Sequence, residues 1–180
     1  ICLAVMLTSG LTTIAAKNEN EVKQYTLSNG VNVLFNQTSD CTDGVTMYAL
    51  SNGGTSLYPE VTPANLKVLN ECLAVSGLAE YSQKELQKTL EENNISVTPH
   101  VGRYEEYITS HASTGNLETM FKMNNLYFTQ LRTDLNAFTS WRDSMRAEIN
   151  RVDKNAAHGL TNAELDAINY DLVMQLVAQR

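Results

Sequence analysis

In the stretch "VLNECLAVSG", Val68, Glu71 and Cys72 stand at positions i, i+3 and i+4 and share one face of any helix that runs through them. An acid beside a thiol on an otherwise apolar face is open to three readings: a live metal site, the remains of a catalytic site, or a helix packing its core. As a nucleophile, Cys72 needs a base such as His100, His111 or His158 and a lowered thiol pKa. Lys67, five residues back, faces elsewhere, and a thiol in mid-helix gains little from the helix dipole. The plain alternative is a buried cysteine acting as a small hydrophobe. For a metal, His100 and His111 sit on the two arms of one predicted hairpin at unequal distances from its turn, so they should not face each other. Catalytic zinc takes three protein ligands, which composition alone does not assemble here. Glu148, in "RDSMRAEINR", reads as part of an exposed face, with Asp143 and Arg146, and Glu148 and Arg151, as i, i+3 pairs.

These residues need elements to position them. "VKQYTLSNGVNVLFNQ" predicts strands over 22–27 and 31–37, because Asn29-Gly30 between alternating runs is a hairpin signal. "VTMYALS" predicts a third strand over 45–51 that stops at Gly53-Gly54, so the chain should open as a β-meander. Thr62 as N-cap and Pro63 at the first helical position start a helix that Gly77 should stop, with Leu66, Leu69, Leu73 and Val75/Ser76 on its apolar side. "SQKE" at 82–85 is a capping box opening a helix to about Asn93. "ISVTPHV" and "EEYITSHAS" alternate as a hairpin around Gly102-Arg103. Two amphipathic helices follow, one with Leu117, Met120, Phe121, Phe128 and Leu131, the other with Leu135, Phe138, Trp141, Met145, Ile149 and Val152. A second capping box, "TNAE" at 161–164, opens a helical segment to Arg180. Three strands, two helices, two strands and then helices, joined by short turns, predict an α+β fold: an antiparallel sheet with helices packed on one face.

The 180 residues suffice for one domain with its own core, and 20 acidic against 13 basic residues give a net charge of −7. With no Lys/Arg cluster to reverse that sign locally, a nucleic-acid partner is excluded as an expectation. Cys2, Cys41 and Cys72 form no CxxC pair and indicate neither a zinc knuckle nor a disulfide framework. The uncharged run "ICLAVMLTSGLTTIAA" resembles the apolar part and cleavage site of a secretory signal that has lost its basic start; the alternative is an apolar linker. It is too short for a membrane span. The expected organisation is therefore a truncated signal or linker over 1–21 and an α+β domain over 22–180.

Taken in order, "YTLSNGVNVLF", "VTMYALSNGGTSLYPE", "ANLKVLNECLAVSGLAEYSQKEL" and "GNLETMFKMNNLYFTQLRTDLNAF" resemble the insulinase, pitrilysin and mitochondrial processing peptidase family, the inverzincins. In its active members the helix after the third strand carries H-x-x-E-H, two zinc-ligating His and a general-base Glu. The resemblance puts Val68 and Cys72 where those His stand, Glu71 where the Glu stands, and Glu148 where the third ligand, a Glu on a later helix, stands. It thus implies a vestigial metal site, with no cofactor in this chain and zinc in a catalytic half. The "LSNGV" and "GGTSLYP" segments resemble the zinc-free half of the bacterial secreted type. That implies a periplasmic or extracellular protein whose partners are a catalytic peptidase half and an unfolded peptide. The alternative is a free-standing peptide-binding or scaffold protein, and a neighbouring H-x-x-E-H domain in the coding sequence would discriminate the two. Compared with the family, the chain is expected to be C-terminally incomplete, leaving a strand edge open and the isolated chain prone to self-association.

Overall fold

The computed structural model describes residues 22–37, 44–58, 61–151 and 159–178. The signal-like run, Cys2, Cys41, Val152 and His158 lie outside the described residues. In chain order the strands and helices are β1 (Lys23–Thr26), β2 (Asn32–Phe35), β3 (Val45–Asn52), α1 (Pro63–Lys67), α2 (Leu69–Ala74), β4 (Gly77–Leu78) and α3 (Gln83–Glu92). They continue with β5 (Ser96–Val101), β6 (Glu105–Ala112), α4 (Leu117–Thr129), β7 (Leu131–Arg132), α5 (Leu135–Arg151), α6 (Asn162–Asp166) and α7 (Tyr170–Ala178). All strand pairs are antiparallel, and the fold is α+β, as predicted. The chain divides into two compact units, 1–57 with 88–125 and 58–87 with 126–180.

In the first unit the Asn29-Gly30 turn closes β1 on β2, with Gly30 at φ 85°. The expected meander does not form. β1 and β2 make a sheet of their own, while β3 pairs with β6 in the order β3-β6-β5. Local alternation fixes which faces a strand buries, but not which distant strand it meets. Here Val45, Met47 and Ala49 of β3 turn inward with Ile108, Ser110 and Ala112 of β6. Ser110 and Asn124, both buried, satisfy each other: Asn124 Nδ2 donates to Ser110 Oγ at 2.9 Å and to the Met120 carbonyl at 2.8 Å. This fixes α4 on that face of the sheet. The outer face carries Tyr48 stacked on Tyr107 at 5.0 Å and His100 against Tyr107 at 4.8 Å. The β5–β6 register sets His100 opposite Tyr107 and His111 opposite Ser96, so the two histidines do not face each other, as expected.

In the second unit the single helix expected from Pro63 to Gly77 is two. Thr62 caps α1 as predicted, its hydroxyl accepting from Asn65 N–H at 3.4 Å. Val68 then interrupts the helix at φ −113°, ψ 12°, a φ that suits a β-branched side chain better than the helix interior does. Gly77 is needed for close approach: a Cβ there would lie 2.6 Å from the Tyr81 carbonyl. It begins the two-residue pairing of β4 with β7, which no sequence signal announces. The Ser82–Glu85 and Thr161–Glu164 capping boxes form as predicted, though the last segment splits into α6 and α7.

The turn after β4 places Ala79 at φ 48°, where a Cβ is crowded. Ala79→Gly is therefore expected to stabilise the protein by about 0.5–1 kcal/mol, since a non-Gly residue in that region costs about 1 kcal/mol or more. Urea denaturation of the two proteins checks this, and an unchanged or lower midpoint would contradict it.

Candidate functional site

All four predicted site positions fall in the second unit. Val68, at the break between α1 and α2, is 1% exposed. Cys72, one turn on, is fully buried, and its N–H donates to the Val68 carbonyl at 2.8 Å. Burial, reinforced by the neighbouring Glu71 charge, pushes its thiol up to about 12. At neutral pH Cys72 is therefore a protonated, enclosed thiol, a small hydrophobe rather than a nucleophile. Glu71, on the same face, is half-buried, as a carboxylate without full compensation should be.

Glu148 is half-buried on α5. Its neighbourhood is tied to the Val68 end of the site by α6. Arg146 bonds Asp166 at 2.6 Å and Asn162 bonds Asn150 at 2.9 Å, while Glu164 on the same short helix takes Lys67 at 2.7 Å. Lys67, adjacent to Val68, also donates to the Gly159 carbonyl at 3.0 Å. The Lys67 ammonium, with the Thr161 amide and hydroxyl, holds Glu164 down at about 2. The expected Asp143–Arg146 pair is thus replaced, because α6 presents Asp166 within reach of the guanidinium.

At the other end of α2, Tyr170 makes a junction that sequence reading missed. Its hydroxyl donates to the Val75 carbonyl at 3.4 Å and accepts from Asp134 N–H at 3.0 Å, while its ring stacks on Phe138 at 4.3 Å. Asp134 in turn accepts from Gln83 N–H at 2.8 Å and Ala137 N–H at 3.0 Å, capping α3 and α5 together. Partial burial works against its charge, yet the Ala137 and Gln83 amides, Arg132 and the Asn136 amide hold the carboxyl below its ordinary value. An Asp just before the apolar run of α5 is a recognisable N-cap signal; its second helix is not.

A zinc ion does not fit the residues that the sequence resemblance puts in the ligand positions. Val68 has no donor atom, and Cys72 would have to lose a proton that its surroundings strongly retain. Among the described residues no group of three His, Cys, Asp or Glu side chains is placed to hold a metal.

No protein-family model matches the chain. In sequence it is similar to the probable zinc protease PqqL of Escherichia coli K12, at 24% identity over 132 residues, 73% of this chain and 14% of that protein. Its structure is similar to that of the periplasmic protease PqqL from Escherichia coli, with a TM-score of 0.67 at 18% identity, covering 95% of this chain and 22% of that one. A mutant of the ferredoxin protease FusC in complex with Arabidopsis ferredoxin matches with a TM-score of 0.67 at 18% identity, over 96% of this chain and 22% of that one. Pitrilysin matches with a TM-score of 0.60 at 12% identity, over 91% of this chain and 20% of that one. The chain thus spans less than a quarter of the length of each of these relatives. In sequence the chain is thus similar to part of a zinc protease, and it shares its fold with part of PqqL and of pitrilysin, both insulinase-type peptidases.

Proposed function

We propose that the chain is a non-catalytic domain of a two-half zinc metallopeptidase of the periplasm or cell exterior. It supplies part of the wall of a peptide-binding chamber, while a partner half carrying H-x-x-E-H and zinc hydrolyses the unfolded peptide. The observation that carries this reading is the burial of Val68 and Cys72, a donorless side chain and a protonated thiol, which the sequence resemblance aligns with the zinc-ligating His. A periplasmic relative supports the location, and no helix among the described residues is long and apolar enough to cross a membrane. In this role Glu71 has no metal-bound water to deprotonate, and the α1–α2 face serves as a packed wall.

Two measurements test the reading. The purified chain is expected to contain no stoichiometric zinc and to cleave no peptide. Metal analysis finding about one zinc per chain, lost on replacing Glu71 or Glu148, would overturn it. Glu71→Gln in the complete peptidase is expected to leave kcat within about twofold, because no proton transfer runs through that carboxylate. A loss of hundredfold or more would place Glu71 in the reaction.

A further inference from the structure

The second unit holds an open cavity of about 600 Å³ between the starts of α3 and α5. That volume falls within the range typical of small-molecule and side-chain pockets, roughly 300–1,000 Å³. Its wall includes Val75, Lys84, Asp134, Ser140, Trp141 and Ser144. The two helix starts do not themselves leave an anion site, because the Asp134 carboxylate already takes Gln83 N–H and Ala137 N–H. Its own charge is in turn offset by those amides and the helix ends they belong to.

The cationic group on the wall is Lys84. It occupies the second position of α3, where the helix dipole disfavours a cation, and it makes no ion pair among the described residues. Lys84 is exposed, so its ammonium is free to meet a ligand at the mouth of the cavity. The only tryptophan of the chain, Trp141, lies half-buried on the wall of the same cavity with Val75, and the Ser140 hydroxyl adds a hydrogen-bonding group. A flexible ammonium, an indole and an aliphatic side chain lining one cavity match a carboxylate with an apolar group attached to the adjacent carbon.

We propose that this cavity is a binding site for the C-terminal end of a peptide: the terminal carboxylate pairs with Lys84, and an apolar last side chain packs on Trp141 and Val75. The assignment deepens the peptide-chamber reading and rests on it. It gives the wall a polarity, since a peptide held by its end enters the chamber in one direction.

The single tryptophan makes the test direct. Short peptides ending in Leu as the free acid, the same peptides amidated, and N-acetyl-leucine are titrated against the whole chain, with Trp141 fluorescence and calorimetry read in parallel. The free-acid peptide is expected to shift Trp141 emission saturably and to bind about 10-fold tighter than its amide, the worth of one charge-assisted contact. Lys84→Met should reduce the acid to the level of the amide, and Lys84→Arg should keep most of the difference. Weaker binding by N-acetyl-leucine than by the peptide identifies a peptide end as the ligand; equal binding would reduce the site to one for small apolar carboxylates and overturn the assignment. Equal affinity for acid and amide, or calorimetric binding with no Trp141 response, would also overturn it while leaving the peptide-chamber reading intact. Binding of neither form would count against both.

Discussion

Tyr170→Ala is expected to lower the unfolding free energy of the chain by about 3–5 kcal/mol, the range for deleting a buried aromatic side chain. The ring is 4% exposed and stacks in parallel on Phe138, with centroids 4.3 Å apart and an interplanar angle of 1°. Deleting it also strands the Asp134 N–H and the Val75 carbonyl that its hydroxyl serves. Tyr170→Phe separates the two contributions. It keeps the stack and loses the hydroxyl, so about 1–2 kcal/mol should go, the cost of unpaired buried polar groups. Exchange of the Asp134 amide should accelerate in the Phe variant, because that amide donates to the missing oxygen. Urea denaturation and amide exchange measure both effects. An Ala variant within 1 kcal/mol of the parent would mean that the junction between α2, α5 and α7 carries little of the stability.

That junction also marks where the sequence stops being legible. The Asn29-Gly30 hairpin, the Thr62 cap and the two capping boxes are local: each is written within about four residues, and each forms. The pairing of β3 with β6 joins Thr46 to His111 across 65 positions, and alternation alone cannot choose that partner over β2. The stripe expected on α4 is only partly right for a related reason. Met120 is buried as expected, but Phe121 and Phe128 are 42% and 49% exposed, and Met123 and Leu126 are buried in their place. Two stripes of similar hydrophobicity lie side by side on that helix, and tertiary packing selects between them. On α5 Leu135 is likewise exposed while Phe138 is buried.

The candidate site divides along the same line. That Val68, Glu71 and Cys72 share a face follows from helical spacing, and burial of Cys72 follows from its apolar neighbours. Interruption of the helix at Val68 has no local signature such as Gly or Pro. Nor does the sequence announce that Lys67 reaches Glu164 over 97 positions, which brings α6 beside the junction of α1 and α2. Spacing shows what a helix face can offer; long-range partners decide whether it stays reactive. Here they enclose it.

The enclosure of Cys72 has a second large consequence, at alkaline pH. Burial, with the charge of Glu71 adding to it, raises the thiol from 9.0 to about 12 in the folded chain. A folded-state pKa above the unfolded one gives a contribution that is complete below pH 9 and is lost as pH rises toward 12, because the unfolded thiol ionises first. The loss approaches roughly 1.4 kcal/mol per pH unit once the unfolded thiol is fully ionised, and comes to about 1 kcal/mol between pH 9 and 10. From about pH 9 upward burial of Tyr127 and of Tyr170, each raised from 10.0 to about 12, adds to the fall and steepens it further above pH 10. Between pH 9 and 10 the two tyrosines together contribute about 0.7 kcal/mol of the fall, so the thiol is isolated by comparison with Cys72→Ala, in which the tyrosine part remains. Urea midpoints measured under reducing conditions at pH 8, 9 and 10 should decline more steeply for the parent than for Cys72→Ala, whatever the variant's constant offset from its small cavity. The same enclosure predicts that iodoacetamide at pH 8 labels Cys72 far more slowly in the folded chain than in urea, as peptide mapping of the alkylated protein reads directly. Parallel pH profiles for parent and variant, or equal labelling in both states, would mean that the thiol is open to solvent, and the wall assigned to α1 and α2 would then have to be read again as a reactive face.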